Sequence, residues 1–88
     1  MVSEKIAELA AIAIKINIET DRSVLFEING QLGVLEIQVK PRKTIHCSEI
    51  YFTTIDYTFR QPDTLDNFNK TFSDSCRATM ISLDAFSR

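Results

Sequence analysis

The sequence predicts an α+β domain: an antiparallel sheet of three to four strands flanked by an N-terminal and a C-terminal helix, in the order α-β-β-β-β-α. Two observations carry this prediction. Apolar residues alternate at period two through the middle of the chain, on both sides of Asn29-Gly30. Near both ends they recur at the three- and four-residue spacing of a helix. A chain of 88 residues is expected to form one domain, 1–88.

The composition is that of an ordinary globular protein. The chain is 44% apolar and 25% charged, with a net charge of −2. This charge argues against strong unspecific attraction to nucleic acid or to membranes. No secretory signal is recognisable, and no apolar run approaches the roughly 20 residues that span a bilayer. We therefore expect a soluble cytoplasmic protein, with Cys47 and Cys76 as free thiols rather than one bridge.

The first element is predicted as a helix from residue 3 to about residue 13. Ser3 can cap it, and one face carries an apolar stripe of Ile6, Leu9, Ala10 and Ala13. Four isoleucines then follow at period two, which predicts a strand from about Ile14 to Thr20. The alternative is a helical stripe that continues through Ile16.

Residues 23 to 40 are predicted to form a β-hairpin. Asn29-Gly30 is typical of a two-residue type I′ turn, which places Leu25 opposite Val34 and Phe26 opposite Gly33. A loop of Gly30-Gln31 would shift these pairs by two and keep the faces. The face predicted to meet the core carries Val24, Phe26, Ile28, Leu35, Ile37 and Val39.

The second half of the chain is predicted to contain one more strand and the last helix. Pro41 ends the hairpin and opens a loop to Ser48, and Glu49 to Phe59 is rich in β-branched and aromatic residues. Asp63 or Thr64 can cap a helix. Its stripe consists of Leu65, Phe68, Phe72, Cys76, Thr79, Leu83 and Phe86. We expect both helices over one face of the sheet, and one helix on each face is the competing arrangement.

The other face of the sheet is the candidate binding surface. Four apolar residues are expected there, namely Leu25, Val34, Ile50 and Phe52. An exposed sheet face is normally more polar, so these residues indicate a contact with a protein partner, foremost a second copy in a homodimer. The alternative is that they are scattered surface residues, which are common. The resulting hypothesis is a small non-enzymatic accessory protein, of the kind that phages and prophages encode.

The alternative function is nucleic-acid binding through Lys40, Arg42, Lys43 and Arg60. The order helix, three strands, helix resembles the double-stranded-RNA-binding domain, whose second helix begins with lysines that grip phosphates. The corresponding stretch here, residues 63–70, is acidic and has one lysine. The resemblance covers only the order of elements, and it implies no binding residue in this chain.

Residues suited to catalysis or metal binding are few. His46 and Cys47 are adjacent and Cys76 is distant, without a Cys-x-x-Cys spacing or a second histidine. Gly30 and Gly33 belong to the hairpin and form no phosphate loop. Asp56 is expected to point outward, into solvent. We therefore predict no enzyme activity, no catalytic residue, no metal site and no cofactor.

Overall fold

The computed structural model describes residues 2–43 and 48–88. Within these residues the elements are α1 (Val2–Glu19), β1 (Ser23–Asn29), β2 (Val34–Lys40), β3 (Tyr51–Asp56) and α2 (Leu65–Phe86). The strands form one antiparallel sheet in the order β1-β2-β3. The α+β class is confirmed, whereas the fourth strand is not found in this part of the chain.

The strand expected over residues 14–20 is wrong, because α1 continues to Glu19. Leu9, Ala13 and Ile16 are buried on one stripe at spacings of four and three residues. Ile14 and Ile18, in contrast, are 57% and 76% exposed. β-branched residues lower helix propensity only slightly, so packing of the stripe outweighs the alternation of the isoleucines.

A polar contact fixes the passage from α1 into the sheet. The Asn17 side chain accepts a hydrogen bond from the Val24 N–H at 2.7 Å and donates one to the Val24 carbonyl at 2.9 Å. β1 lies at an edge of the sheet, where backbone groups point away from β2 and need other partners. Asn17 therefore stands in for a neighbouring strand at this residue.

The hairpin has a four-residue loop, 30–33, rather than a two-residue turn. Gly33 is the loop residue with positive φ (67°), and a Cβ there would collide with the Thr58 side chain. Its N–H donates to the Asn29 carbonyl at 2.9 Å. The Asn29 side chain accepts from the N–H groups of Gln31 and Leu32, both at 3.1 Å. Asn29 thus opens the loop through its side chain and without a left-handed backbone.

This loop shifts the strand register by four residues from the predicted one. Val24 lies opposite Val39, Phe26 opposite Ile37 and Leu25 opposite Gln38. The predicted pairs Leu25–Val34 and Phe26–Gly33 are therefore wrong. An even shift leaves every side chain on its predicted face, and Leu35, Ile37 and Val39 are fully buried.

β3 is shorter than the predicted strand from Glu49 to Phe59. Past Asp56 the chain turns around the hairpin loop: Tyr57 donates its N–H to the Gly33 carbonyl at 3.0 Å, and the Arg60 guanidinium donates to the Leu32 carbonyl. Phe59 leaves the sheet and packs edge-on against Phe68, with ring centroids 6.0 Å apart.

α2 begins where the sequence predicts. Thr64 is its N-cap and accepts from the Asn67 N–H at 3.1 Å. The buried residues are Phe68, Phe72, Cys76, Thr79 and Leu83. The predicted stripe is confirmed over these five residues, while Leu65 is exposed and Phe86 is half-buried.

Both helices lie on the same face of the sheet, so the arrangement with one helix on each face is wrong. α1 packs on β1, α2 packs on β3, and the two helices contact each other above the core. The helices run in the same direction, because α1 ends beside Val24 and α2 ends beside Tyr51, whose ring is 5.9 Å from that of Phe86. Their N-terminal halves therefore lie at the hairpin-loop end of the sheet.

Arg22 ties the end of α2 to the start of β1. Its guanidinium donates to the carbonyls of Phe86 at 2.8 Å and Arg88 at 3.0 Å, and lies 6.0 Å from the Phe86 ring centroid. The Phe86 carbonyl belongs to the last turn of α2 and has no partner within the helix, whose C-terminal end is negative. A cation at this position stabilises the docking of α2.

Replacement of Asn17 by alanine should destabilise the fold. The N–H and carbonyl of Val24 would both lose their partner, so we expect the free energy of unfolding to fall by about 1–3 kcal/mol. Urea denaturation followed by circular dichroism measures this change. Lys15→Ala is the matched control, because Lys15 is exposed on the same helix. Equal losses in the two variants would contradict a role for Asn17 at the sheet edge.

Candidate functional site on the outer face of the sheet

One face of the sheet is not covered by any described residue, and we call it the outer face. Both helices pack against the opposite face, where Leu35 and Ile37 are buried. Because side chains alternate along a strand, the outer face consists of positions 23, 25, 27 and 29 of β1, 34, 36, 38 and 40 of β2, and 52, 54 and 56 of β3. Its side chains form rows across the three strands.

One row of the outer face consists of Leu25, Gln38 and Phe52, and we call it the central row. It is apolar at both ends. Leu25 pairs with Gln38, and Gln38 pairs with Phe52. Leu25 is 51% exposed and Phe52 50%. Ile50, 49% exposed, directly precedes β3 and donates its N–H to the Val39 carbonyl at 2.8 Å. The predicted residues Leu25, Ile50 and Phe52 thus lie at one end of the sheet.

Charge changes sign across the central row. On one side Lys40 of β2 pairs with Ser23 of β1. On the other side Glu36 pairs with Glu27 and with Thr54. Two like charges directly opposite each other repel, so Glu27 and Glu36 cost some stability unless a cation approaches them. Lys40 belongs to none of the ion pairs formed among the described residues.

Val34, the fourth predicted contact residue, is separated from the other three. It lies in the row of Asn29 and Asp56, two rows from Leu25. At about 3.4 Å per residue, four residues along a strand place these rows roughly 14 Å apart. Gln38, which sequence reasoning did not single out, occupies the central position instead. Recognition of the four-residue loop ending in Gly33 would have revealed this register.

The four basic residues of the nucleic-acid hypothesis do not form one surface. Lys40 lies at the end of β2 and Arg42 is exposed in the following loop, where Lys43 donates to the Thr20 carbonyl at 2.8 Å. Arg60 lies at the other end of β2, about 20 Å away by strand length, and pairs with Asp56 at 3.3 Å. Nucleic-acid binding stays a prediction that this placement does not favour.

The residues considered for catalysis or metal binding are also dispersed. Cys76 is a free, buried thiol on the core stripe of α2. His46 and Cys47 lie outside the described residues. Within residues 2–43 and 48–88, no three side chains of the metal-ligating types form a cluster. Asp56 points outward and is exposed, as expected, with Arg60 and the Thr58 N–H as partners.

A groove of about 960 Å³ opens on the other side of the sheet, between the N-terminal halves of α1 and α2. We call it the interhelical groove. Its floor is formed by Phe26 and Ile28 of β1 and by Tyr57, and its walls include Ile6 of α1 and Phe72 of α2. Sequence reasoning assigned Ile28 to the core. Its side chain is largely exposed because the groove opens above it.

Known proteins offer no assignment for this fold or its candidate sites. No protein-family model, no curated protein and no solved structure matches the chain. Among the helices of the described residues, none has the length and apolarity required to cross a membrane. The candidate sites rest on the geometry of the chain itself.

Cys76 should be chemically inert in the folded protein. Burial raises the pKa of its thiol, against the opposing effect of the Lys5 charge, so little thiolate is present near neutral pH. In a Cys47→Ser variant, where Cys76 is the remaining thiol, iodoacetamide at pH 8 should label the denatured chain and leave the folded chain unmodified. Mass spectrometry measures the difference. Equal labelling rates would show that the stripe of α2 opens frequently.

Proposed function

We propose that this protein is a non-enzymatic cytoplasmic binding protein that forms a homodimer through the outer face of its sheet. The observation that carries the proposal is the central row, where Leu25 and Phe52 are half exposed on either side of Gln38. A sheet face that meets only water is expected to carry polar side chains at these positions. The small single domain also suits an accessory protein of phage or prophage type.

Charge complementarity is the reason to choose a second copy as the partner. Consider a two-fold axis that runs along the central row, between two facing sheets. Each residue of the central row then lies against the same residue of the partner. The row that contains Lys40 lies against the partner's row that contains Glu36. Lys40 consequently faces the partner's Glu36, and the partner's Lys40 faces Glu36. The apolar ends of the central row are buried at the same time.

The other simple arrangement is unfavourable. A two-fold axis parallel to β2 would place each row over the same row of the partner. Glu36 would then face the partner's Glu36, and Lys40 the partner's Lys40, which repel each other. The outer face is therefore self-complementary in one orientation, with strands roughly aligned as in packed sheets.

The size of the outer face sets the expected strength of the dimer. Strands of seven, seven and six residues, about 4.8 Å apart, present roughly 330 Å² of flat area. A standard stable interface buries about 800 Å² on each partner. We therefore expect a reversible dimer, populated at high micromolar to millimolar concentration.

Replacement of Phe52 by lysine should weaken the dimer. It puts a charge into the apolar end of the central row, so we expect the dissociation constant to rise at least tenfold, measured by sedimentation velocity over a concentration series. Leu25→Lys should act in the same way. Ile81→Lys is the matched control, since Ile81 is an exposed isoleucine on α2, away from the sheet.

The outcomes of this comparison separate the possibilities. A monomeric wild-type protein at millimolar concentration would overturn self-association. An equal effect of Phe52→Lys and Ile81→Lys would remove the outer face from the contact. Loss of folding in Phe52→Lys, read by circular dichroism, would contradict the exposed position of this ring.

A mixture of two charge variants tests the orientation of the dimer. Lys40→Glu and Glu36→Lys should each self-associate about tenfold more weakly than the wild type, because each places like charges across both symmetry-related contacts. When they are mixed, every contact again joins opposite charges, so a heterodimer should form with near wild-type affinity. Fluorescence anisotropy of one labelled variant at low salt measures this. A mixture that associates no better than either variant alone would overturn the proposed axis.

A further inference from the structure

The interhelical groove lies on the helix side of the sheet, opposite the outer face. Three elements build it: α1 supplies one wall, α2 the other, and β1 with Tyr57 the floor. The aromatic rings of Phe26, Tyr57 and Phe72 are part of this lining. Phe72 belongs to the core, whereas Ile28 of the floor is 55% exposed. Apolar surface left open to water in this way favours an occupant.

The size of the groove indicates a small molecule. Its volume of about 960 Å³ falls at the upper end of the roughly 300–1,000 Å³ typical of ligand pockets. A partner helix with its side chains is about 10 Å wide, so three turns of it take up roughly 1,200 Å³ and would lie partly outside the groove. A single hydrocarbon chain or a pair of fused rings fits within it.

The charges of the groove indicate an anion. Of the described residues that line it, Lys5 alone is charged, and Ser3, Asn69 and Ser73 add neutral polar groups. Lys5 forms no ion pair with another described residue. A lysine at such a site lays its methylene stem along the apolar wall and holds its ammonium group at the rim.

The effect of Lys5 on Cys76 supports this placement. The Lys5 charge acts to lower the pKa of the Cys76 thiol, against the larger effect of burial and the smaller effect of Glu8. Lys5 therefore lies on the side of α1 that faces α2, in agreement with its place in the groove lining. Glu8 is not among the residues that line the groove.

We propose that the interhelical groove binds an anionic amphiphile, such as a medium-chain carboxylate. Its apolar part contacts Phe26, Ile28 and Phe72, and its acid group pairs with the Lys5 ammonium. The pairing provides orientation, and burial of the apolar part provides most of the affinity.

Two fluorescent probes that share a ring system test both parts of this proposal. Anilinonaphthalene sulfonate carries an acid group, and N-phenyl-1-naphthylamine is its neutral counterpart. Both should bind the wild-type protein with enhanced fluorescence. Decanoate should displace both, because it competes for the same apolar floor. A wild-type protein that binds neither probe, or from which decanoate displaces neither, would overturn the proposal.

Matched variants on α1 locate the probes. Ala7 lines the groove and Ala11 does not, and both are exposed. Ala7→Phe should weaken the binding of both probes at least tenfold, and Ala11→Phe should leave their affinities unchanged. Lys5→Gln should weaken the binding of the sulfonate probe about tenfold and leave the affinity of the neutral probe unchanged. Lys15→Gln should change neither affinity. Equal effects within either pair would overturn the assignment.

Nuclear magnetic resonance on the unmodified protein tests the proposal if Ala7→Phe does not fold. Decanoate should shift the amide signals of Ala10, Ile28 and Ser73, and leave those of Phe52 and Thr54 on the outer face in place. The reverse pattern would put the amphiphile on the outer face and overturn the assignment to the groove. Because dimerisation is measured separately on Phe52→Lys, failure of either proposal leaves the other testable.

Discussion

The side-by-side packing of α1 and α2 on one face of the sheet is the constraint on which both candidate sites depend. A sheet of three strands is only about 14 Å wide, and two helices packed 8–10 Å apart leave no room for a third element on that face. One face of the sheet therefore carries the core, and the described chain supplies no third layer for the other. The outer face is open for this reason.

The same packing explains the interhelical groove. Strands twist, so two helices that are close together at one end of a sheet are not equally close at the other. Arg22 holds the C-terminal end of α2 beside the start of β1, where α1 also ends. At the hairpin-loop end, small residues of α1 such as Ala7 and Ala10 face the groove and do not fill the space.

The sequence predicts the faces of the strands better than their pairing. Period-two alternation determines which side chains point inward, and an even shift of register preserves that result. The rows of the outer face depend on the exact register, which Gly33 and the Asn29 side chain determine by closing a four-residue loop. Leu25 and Phe52 were therefore assigned to the correct face, while Val34 was expected beside Leu25 and lies two rows away.

Two further features could not be predicted from the spacing of apolar residues, namely the full length of α1 and the interhelical groove. The isoleucines of α1 fit both periods, and only tertiary packing decides between them. Ile16 is buried together with Leu9, whereas Ile14 and Ile18 are exposed. The groove depends on the distance between two helices that are separated by about 45 residues of chain. No local spacing encodes that distance.

β1 is the element that the two candidate sites share, and its structure bears on whether they are coupled. Leu25 points to the outer face, while Phe26 and Ile28 point into the groove. Asn17 fixes β1 at Val24, and among the described residues no comparable side chain holds the outer edge of its second half. A ligand that displaced Phe26 would therefore also displace the part of β1 that follows Val24, including Leu25. Coupling between the sites depends on that movement, because the backbone of the sheet otherwise separates them and each would bind independently.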